Sequence, residues 1–338
     1  MPEKVRIGII GTGLIAREFH LPNLILTNEA EIVGCADMDE QKAKRFAHDN
    51  QIVFFTGDYH RLLSRDDMDA VVVATYHSNH ASIAMDAISA GKHTLIQKPM
   101  ATTMEDADRL VAAEAKSDRV VMALPYMYSA AFMDAREMIN SGAIGRITMA
   151  RSRVAHSGPG PERGWFYRKE IAEGGALFDM GVYAIWRLVT LLGPAKRVAA
   201  LVSNTTGRGD VDENAIITLE FANGAIGVAE TSWTQQATRE GDVIYGTEGT
   251  IILNHDHSPQ IEVFSKQHTF HRQPAWEQID TTIRDREMPT AHQHFIDVIK
   301  GRAVLRSTVQ RGRHIVEIMT AAYRSHAENR IIELTTAP

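Results

Sequence analysis

The sequence predicts an α/β protein in which a doubly wound parallel sheet is followed by a second α/β domain with an open, mostly antiparallel sheet. Three observations predict this fold. Short β-branched strands alternate with helical stretches over the first 124 residues, a glycine turn follows the first strand, and longer strands succeed one another after about residue 125. A chain of 338 residues suits two domains of ordinary size. We therefore expect domains over residues 1–124 and 125–338.

Short apolar runs form the strands predicted for the first domain: Val5–Ile10, Glu31–Ala36, Ala70–Ala74, Thr94–Ile96 and Val120–Leu124. The stretches between them have helical spacing, and this alternation indicates βαβ units with a parallel sheet. Thr103, followed three residues later by Asp106, resembles a capping box that starts a helix. Pro22 is expected to end or kink the helix that follows the first strand.

The second domain begins with two predicted helices, Ser129–Asn140 and Glu173–Leu192, each followed by a pair that contains glycine. Longer strand candidates are then separated by turns: Arg197–Ser203, Ala215–Phe221, Ala225–Trp233, Asp242–Tyr245, Thr250–Leu253 and Gln260–Phe264. Successive strands joined by short turns indicate a largely antiparallel sheet. Helices over about Pro289–Lys300 and Val309–Glu328 complete the chain.

The composition limits the classes of partner. The net charge is −6, from 36 basic and 42 acidic residues, which argues against nucleic acid or an anionic membrane surface. The one cysteine, Cys35, has no second thiol with which to form an internal disulfide. No apolar run approaches the roughly 20 residues of a membrane span, and none near the start suits a signal peptide. We expect a soluble, cytoplasmic protein.

A glycine-rich turn, Gly11–Ala16, follows the first strand and opens a helix with the pattern G-x-G-x-x-A. The first glycine permits the sharp turn, the second lets the backbone approach a pyrophosphate, and Ala16 lets helix and strand pack closely. Amides and the dipole at the helix N-terminus stabilise the phosphates. The motif predicts a Rossmann domain that binds a dinucleotide through Gly11, Thr12, Gly13, Leu14 and Ile15.

An acidic residue, Asp37, lies at the end of the second predicted strand. A carboxylate at this position accepts hydrogen bonds from the ribose hydroxyls of the adenosine and repels a 2′-phosphate. Arg45 lies too far along the next helix to bind such a phosphate. The sequence therefore predicts NAD as the cofactor, with NADP less favoured.

Further motifs follow in a fixed order. The turn Gly11–Ala16 is succeeded by the stretch Gly91–Pro99, by Glu173–Tyr183 with its "GGALFDMGVY" pattern, by Gly246–Gly249 and by Ala321–Ser325. Together these motifs resemble the Gfo/Idh/MocA family of sugar oxidoreductases over nearly the whole chain. The resemblance implies a Rossmann domain, a C-terminal α/β domain whose open sheet often mediates oligomerisation, and a site between the two. It therefore implies a homodimer or homotetramer formed through the C-terminal sheet.

The resemblance also implies catalytic residues. Lys98 is similar to the lysine of the family's E-K-P motif, near the nicotinamide and the reacting substrate oxygen. Asp179 and Tyr183 are similar to residues that face the site from one helix, and their i, i+4 spacing agrees with a shared helical face. Gln97 replaces the usual glutamate, and Tyr183 replaces a histidine, as in members that resemble glucose-fructose oxidoreductase and dihydrodiol dehydrogenase. An arginine common around Tyr126–Ser129 is missing.

The remaining predicted cofactor contacts follow strands of the first domain. Thr75, Tyr76 and His80 come after the predicted strand Ala70–Ala74, where the crevice outside the strand ends receives the cofactor. Gln97 and Lys98 come after the next strand. For His80 two interpretations stay open, a cofactor contact or a structural cap of its helix.

Two residues, Arg163 and Trp165, are predicted substrate contacts, together with Lys98, Asp179 and Tyr183. They lie with Arg151 and Arg168 before the helix that carries Asp179, where a sugar can use them. The alternative interpretation is a solvated loop with one packing tryptophan.

These side chains suit the oxidation of a secondary alcohol, which loses a hydride to nicotinamide and a proton from its hydroxyl. Tyr183 is the candidate acid/base, although a tyrosine pKa is ordinarily about 10. A nearby Lys98 ammonium would lower that pKa and stabilise the alkoxide, and Asp179 would orient the hydroxyl or the lysine. We hypothesise that neutral Gln97, unlike glutamate, lets the pKa of Lys98 fall.

The leading prediction is an oxidoreductase that moves a hydride between NAD and an alcohol or ketone of a carbohydrate-like substrate: a sugar, polyol or related cyclic alcohol. Three alternatives stay open: a glycosidase that uses NAD transiently for elimination, a non-catalytic dinucleotide-binding regulator, and an oxidoreductase with trapped cofactor. No metal is expected: His77 and His80 lack a third ligand at a suitable spacing, His292 and His294 are two apart on a helix and point to different faces, and His255 and His257 lie in a predicted turn.

Overall fold

A computed structural model describes residues 4–236, 240–266 and 275–337. Its chain forms two compact units. The first comprises the residues up to Tyr126 together with Pro289–Val316, and the second comprises Met127–Met288 together with the residues from Glu317 onward. The division at 124/125 predicted from sequence thus lies close to the first change of unit, but residues 289–316 return to the first unit.

Six parallel strands, counted over the described residues, form the sheet of the first unit. They are β1 (Val5–Ile10), β2 (Ala30–Ala36), β3 (Phe54–Thr56), β4 (Ala70–Val73), β5 (His93–Ile96) and β6 (Val121–Ala123). Their order is β3-β2-β1-β4-β5-β6. This confirms the doubly wound parallel sheet, and the order changes direction between β1 and β4, where such folds bind their ligands. The short edge strand β3 was not predicted.

Helices connect these strands: a π-helical turn at Ala16–His20, α1 (Leu21–Leu26), α2 (Glu40–Asp49), α3 (Tyr59–Leu63), a 3-10 turn at His77–Asn79, α4 (His80–Ser89) and α5 (Met104–Glu114). The side chains of Asp39, Asp58 and Thr103 accept hydrogen bonds from first-turn N–H groups of α2, α3 and α5, and such caps favour a helix start. Pro22 does not end the first helix. It lies in the first turn of α1, directly after the π-helical turn.

Nine strands among the described residues form the sheet of the second unit, in the order β14-β13-β12-β11-β7-β10-β9-β8-β15. They are β7 (Ile147–Ala155), β8 (Ala195–Ser203), β9 (Asn214–Phe221), β10 (Ile226–Ser232), β11 (Gly241–Gly246), β12 (Gly249–Asn254), β13 (Ile261–Ser265), β14 (Trp276–Ile279) and β15 (Ile332–Glu333). Only β7 and β10 pair in parallel among these strands, which confirms the mostly antiparallel sheet.

The helices of the second unit are α6 (Ala130–Asn140), a 3-10 segment at Pro161–Tyr167, α7 (Lys169–Ala172), a π-helical turn at Leu177–Gly181, α8 (Val182–Leu192) and α9 (Thr282–Asp285). The stretch Lys169–Leu192 is long and apolar enough to span a membrane, with a mean hydropathy of 1.4. However, 78% of its apolar window is buried within the fold, and α8 packs on β7 and β10. This burial is typical of a core helix.

The last two helices are α10 (Ala291–Ile299) and α11 (Val309–Glu328). Phe295 and Ile296 of α10 are fully buried in the core that contains Ile7 of β1 and Leu95 of β5. Burial of this apolar helix face explains why the segment belongs to the first unit although it follows the second in sequence. Residues of α11 up to Val316 belong to the first unit, and those from Glu317 belong to the second.

Candidate functional site

The glycine turn leaves the carboxyl end of β1. Gly11 has a φ of +91°, and a Cβ on it would lie 2.3 Å from the carbonyl oxygen of Ala74. Glycine is therefore required at this position. At Gly13, by contrast, a Cβ would meet nothing within 4 Å. The turn thus packs closely on one side and leaves open space beside Gly13, while Ala16 is fully buried in the helix that follows.

Asp37 lies directly after β2, and its carboxylate contacts the glycine turn. Its Oδ2 accepts hydrogen bonds from the backbone N and the Oγ1 of Thr12, both at 2.9 Å. Its Oδ1 accepts one from the backbone N of Asp39 at 3.0 Å. A carboxylate has about four acceptor sites. The predicted ribose-binding group is therefore held beside the turn with acceptor capacity for a ligand hydroxyl.

His80, at the start of α4, is fully buried and connects two loops of the first unit. Its Nδ1 lies 2.7 Å from the carbonyl oxygen of Pro99, and its Nε2 lies 3.1 Å from that of Thr75. Burial lowers the pKa of this imidazole, whereas the two carbonyl contacts raise it. Because both nitrogens face backbone oxygens, the contacts favour the structural interpretation of His80. Thr75 and Tyr76 are half-buried in the loop after β4, as the sequence predicts.

Gln97 and Lys98 follow β5, and both are buried, with exposed fractions of 6% and 8%. The backbone N of Lys98 donates a hydrogen bond to Oε1 of Gln97 at 2.6 Å. On its other side, the Gln97 amide nitrogen lies 3.3 Å from Nε2 of His20. The peptide between Lys98 and Pro99 is cis. The Gln97 side chain therefore supports the backbone that carries Lys98. We call the segment Gln97–Pro99 the Lys98 turn.

The first unit fits a bound NAD. Open space lies beside Gly13, Asp37 retains acceptor capacity, and the Lys98 turn follows β5 of the same parallel sheet. Carboxyl ends of parallel strands meet at one edge, where α/β folds bind dinucleotides. The pyrophosphate would lie at the predicted turn residues, of which Leu14 is half-buried and Ile15 is 37% exposed. The adenosine ribose would lie at Asp37.

In the second unit, Asp179 lies within the π-helical turn Leu177–Gly181 and is 7% exposed. Its Oδ2 accepts a hydrogen bond from Nε1 of Trp233 at 3.1 Å. The Nε2 of His156 lies 3.7 Å from the same oxygen. Nδ1 of His156 accepts a hydrogen bond from the backbone N of Gly158 at 2.8 Å, so a neutral ring carries its proton on Nε2, toward Asp179. Sequence reasoning missed His156 and Trp233, because their strands bring them to Asp179 from distant positions.

A buried carboxylate, Asp212, holds the start of the segment that carries Asp179. It accepts hydrogen bonds from the backbone N of Gly175 and of Leu177, both at 2.8 Å, and from the hydroxyl of Tyr323. Burial raises the pKa of Asp212, while the bonds from Tyr323, Leu177 and Gly175 lower it. A Cβ on Gly175 would lie 1.9 Å from the carbonyl oxygen of Asp212, and one on Gly174 would lie 2.5 Å from the Tyr323 hydroxyl. The glycine pair is therefore required for this close approach.

Tyr183 lies in the first turn of α8 and is half-buried. The predicted helix Glu173–Leu192 is not one continuous α-helix. Glu173 has a left-handed backbone with φ 64°, and the π-helical turn precedes α8. Because a π-turn has i→i+5 hydrogen bonds, the α-helical spacing argument for Asp179 and Tyr183 does not apply in its simple form.

Arg163 and Trp165 lie in the half-buried 3-10 segment Pro161–Tyr167. Trp165 stacks on Phe166 with ring centroids 3.9 Å apart, and Phe166 meets Trp233 edge-on at 6.2 Å. Trp233 in turn donates to Asp179. An aromatic group therefore connects the predicted substrate contact Trp165 with the predicted catalytic carboxylate.

The two other arginines predicted near this segment pair with carboxylates. Arg151 lies on β7 and binds Glu230 of β10 at 2.7 Å, and exposed Arg168 pairs with Glu170. These ion pairs agree with the interpretation of both arginines as solvated surface residues.

Among the residues that the structure describes, no group of three or more histidine, cysteine, aspartate or glutamate side chains is arranged to hold a metal ion. The histidines of the pairs have other contacts. His255 binds Asp242 at 2.8 Å, His257 binds Asp256 at 2.6 Å, His292 binds His20 at 2.9 Å, and His294 accepts from the backbone N of Arg306 at 3.2 Å.

Two family models match the chain. The family described as "Oxidoreductase family, NAD-binding Rossmann fold" matches residues 5–124, and the "GFO/IDH/MocA C-terminal domain" matches residues 132–252. The chain belongs to the GFO/IDH/MocA oxidoreductase family, which confirms the resemblance seen in the sequence. It is an NAD(P)-dependent dehydrogenase or reductase that acts on CH–OH groups.

Similar proteins include enzymes named for sugar chemistry. The 1,5-anhydro-D-fructose reductase of Ensifer adhaerens is 31% identical over 250 residues, which are 73% of this chain and 75% of that protein. The levoglucosan dehydrogenase of Pseudarthrobacter phenanthrenivorans is 30% identical over 258 residues, 67% of this chain and 65% of that protein. The solved structure of GenD2 from gentamicin A biosynthesis in complex with NAD has a TM-score of 0.85 and 28% identity, with 99% and 98% of the two chains covered.

Proposed function

We propose that the protein moves a hydride between NAD and a secondary alcohol or ketone of a sugar, polyol or related cyclic alcohol. One observation carries the proposal: the glycine turn with Asp37 and the buried Lys98 turn follow strands of the same parallel sheet. A dinucleotide held at the first can present its reactive ring toward a cation at the second. The names of the relatives, an anhydrofructose reductase and a levoglucosan dehydrogenase, support a cyclic carbohydrate-like substrate.

We propose NAD rather than NADP because of Asp37. Its carboxylate is held beside the glycine turn by both hydrogen-bonding groups of Thr12. A 2′-phosphate placed against this carboxylate would be repelled, whereas ribose hydroxyls donate to it.

We propose that three side chains carry the chemistry. Bound NAD supplies the hydride acceptor or donor. Lys98 stabilises the developing alkoxide with its positive charge, and Tyr183 transfers the proton of the substrate hydroxyl. Asp179 orients the reacting hydroxyl, and Trp233 holds its carboxylate for that purpose. The assignment is supported by the family resemblance of these positions and by the burial of Lys98 and Asp179.

The test is a screen for net oxidation and reduction. Levoglucosan, other cyclic sugars and polyols are supplied with NAD and NADP in parallel, and 1,5-anhydro-D-fructose is supplied with the reduced cofactors. We expect turnover with at least one of these compounds and a higher kcat/KM with NAD.

Each alternative has its own signature in the same screen. Cofactor binding without turnover of any compound would indicate a regulator. Cleavage of a glycoside without net NADH would indicate redox elimination, and NADH that leaves the protein only on denaturation would indicate a trapped cofactor. A preference for NADP would contradict the function assigned to Asp37.

We also propose that the open face of the nine-stranded sheet joins two copies of the chain. Tyr245, Met149 and Ile226 are adjacent across β11, β7 and β10 and are 41%, 39% and 48% exposed. Helix α8 packs on the other face of β7 and β10. Such an exposed apolar row is typical of a protein interface. Light scattering should show a dimer or tetramer, and Ile226→Asp should dissociate it. A wild-type monomer would contradict the proposal.

A further inference from the structure

A group of three uncharged polar side chains lies behind the Lys98 turn in the first unit. His20 ends the π-helical turn Ala16–His20, His292 lies on α10, and Gln97 follows β5. The two histidines are fully buried and Gln97 is 6% exposed. Nδ1 of His20 lies 2.9 Å from Nε2 of His292, and Nε2 of His20 lies 3.3 Å from Nε2 of Gln97.

The orientation of the Gln97 amide follows from its neighbour. The backbone N–H of Lys98 can only donate, and it lies 2.6 Å from the Gln97 atom assigned as Oε1. The amide group that faces it must therefore be the carbonyl oxygen. The amide NH₂ consequently faces Nε2 of His20 and donates to it, so this nitrogen of His20 carries no proton.

The proton positions of the two histidines then follow in sequence. A neutral imidazole has one N–H, so His20 carries its proton on Nδ1 and donates it to Nε2 of His292. His292 must in turn carry its proton on Nδ1, a buried atom for which the described residues supply no hydrogen-bond partner, so the relay ends there. Burial, with the neighbouring rings of His292 and His80, holds the pKa of His20 well below its usual range, and burial lowers that of His292 to about 4. Both rings are therefore neutral at physiological pH.

We propose that Gln97, His20 and His292 form an uncharged hydrogen-bond relay with a single direction, which Gln97 determines and which positions the Lys98 turn. Every donor in the relay points away from Lys98: the Gln97 amide to His20, and His20 to His292. His20 and His292 are positioning residues, since they act on Lys98 only through Gln97. The part of the proposal that concerns Lys98 rests on the proposed function.

The direction of the relay depends on the residue at position 97. A carboxylate there still accepts from the backbone N–H of Lys98, but it has no donor for His20. His20 must then donate a hydrogen bond from Nε2, and its Nδ1 must accept a hydrogen bond from the Nε2–H of His292. With its carboxyl group ionised, Gln97→Glu therefore reverses every bond of the relay, or it adds a second proton to His20. In both cases Nε2 of His20 gains a proton that the wild-type ring lacks.

Long-range ¹H–¹⁵N NMR of histidine-labelled protein reads these proton positions directly and needs no substrate. In the wild type, at neutral pH and without ligand, we expect Nδ1–H tautomers for both His20 and His292. In Gln97→Glu we expect a proton on Nε2 of His20. Exposed His48 is the control, because its signals should be the same in both proteins, and the variants His20→Asn and His292→Asn assign the resonances.

The wild-type spectrum alone tests the relay even if Gln97→Glu does not fold. A proton on Nε2 of wild-type His20 would overturn the proposal. An Nε2 of His20 that stays unprotonated in folded Gln97→Glu at a pH at which ¹³C NMR of the introduced side chain shows an ionised carboxylate would overturn the control by Gln97. Neither result would bear on whether the protein is a dehydrogenase.

The effect on Lys98 is tested by kinetics with whichever compound the screen identifies. Displacement of a reacting group by a fraction of an ångström lowers the rate without removing binding. We expect Gln97→Glu to lower kcat roughly tenfold. An unchanged kcat in a protein whose relay has reversed would show that the relay does not position Lys98. If no compound is turned over by the wild type, the proposed function fails while the NMR result stands.

Discussion

In the described part of the chain, π-helical turns occur at Ala16–His20 in the first unit and at Leu177–Gly181 in the second. Each carries a buried polar side chain of the candidate functional site, His20 in the first turn and Asp179 in the second. π-helical turns are often found at functional sites, where the wider turn changes the direction of a side chain. The two segments thus share a π-helical backbone, but the groups around them differ.

The side chains that contact His20 are neutral, whereas the segment that carries Asp179 is held by a buried carboxylate. Gln97 and His292 contact His20 without any net charge. Asp212 caps the segment of Asp179 and accepts from two of its backbone N–H groups. Neutral groups avoid the cost of burying a charge, and buried carboxylates need several donors to offset that cost. The Lys98 turn is therefore supported by neutral groups, whereas the segment of Asp179 is held by a buried carboxylate.

The largest expected effect comes from removal of that cation. Lys98→Met should lower kcat/KM by about 10²–10⁴-fold, because a positioned charge and proton-handling group is lost. Part of the loss should lie in NADH affinity, because Lys98 is also a predicted cofactor contact, although the glycine turn and Asp37 still hold the dinucleotide. Steady-state kinetics and NADH fluorescence measure the two quantities. Exposed Lys116→Met is the control, and a Lys98→Met rate within threefold of the wild type would contradict a catalytic function for Lys98.

The close approach of Gly175 to Asp212 can be tested by substitution of this glycine. Gly175→Ala places a Cβ 1.9 Å from the Asp212 carbonyl oxygen. Overpacking against backbone costs about 3 kcal/mol, so the free energy of unfolding should fall by that amount. Urea denaturation measures it. Gly164→Ala is the matched control, because a Cβ there meets nothing within 4 Å, and its effect should stay below about 0.5 kcal/mol. Equal effects of the two changes would show that the segment has room to adjust.

The buried ring of His292 should make the free energy of unfolding decrease as the pH falls. Burial lowers the pKa of His292 to about 4. The unfolded chain therefore binds a proton at this residue below pH ~6.5, whereas the folded chain binds it only below about pH 4. Stability from this group is present above pH ~6.5 and is lost as the pH falls. At pH 5 the loss is about 2 kcal/mol, at roughly 1.4 kcal/mol per pH unit.

Urea denaturation of the wild type and of His292→Leu at pH 7 and pH 5 tests this sign. The wild type should lose more stability between the two pH values, by about 2 kcal/mol relative to the variant. His48→Leu, at an exposed position, should keep the wild-type difference. Identical pH dependence in wild type and His292→Leu would mean that the buried ring is already charged or open to water.

The smallest expected effect concerns cofactor choice. Asp37→Asn keeps an acceptor for Thr12 but removes the negative charge that would oppose a 2′-phosphate. We expect the ratio of kcat/KM with NADP to that with NAD to rise about tenfold, or roughly 1.4 kcal/mol. Asp39→Asn, two residues away, preserves its helix cap and should leave the ratio within threefold. A ratio that Asp37→Asn does not change would show that another group selects the cofactor.

Much of the first unit could be predicted because its signals are local. The strands that became β1, β2, β4, β5 and β6 are short apolar runs, and Asp37 and Lys98 follow strands directly. The strand β7 escaped prediction because Arg151 and Arg153 interrupt its apolar pattern. In the sheet these arginines alternate with buried Ser152 and Val154, as expected for a strand with one buried and one exposed face.

The second half of the candidate site depended more on distant contacts. Asp179 and Tyr183 come from the family resemblance, but the partners Trp233, His156 and Asp212 reach Asp179 and its segment from positions far along the chain. No sequence spacing predicts a contact between residues that lie so far apart in the chain. The catalytic functions and the oligomeric state are predictions that the kinetic and light-scattering experiments above test.

The sequence by itself determined the fold class and the family, and it predicted where the cofactor binds. These depend on periodicity and on motifs such as Gly11–Gly13, whose residues are neighbours in the chain. Only the tertiary structure decided that residues 289–316 return to the first unit, that π-helical turns carry His20 and Asp179, and that Gln97 contacts His20. The physical reason is that backbone turns of this kind and buried polar contacts are selected by packing between distant segments, which leaves no periodic trace in the sequence.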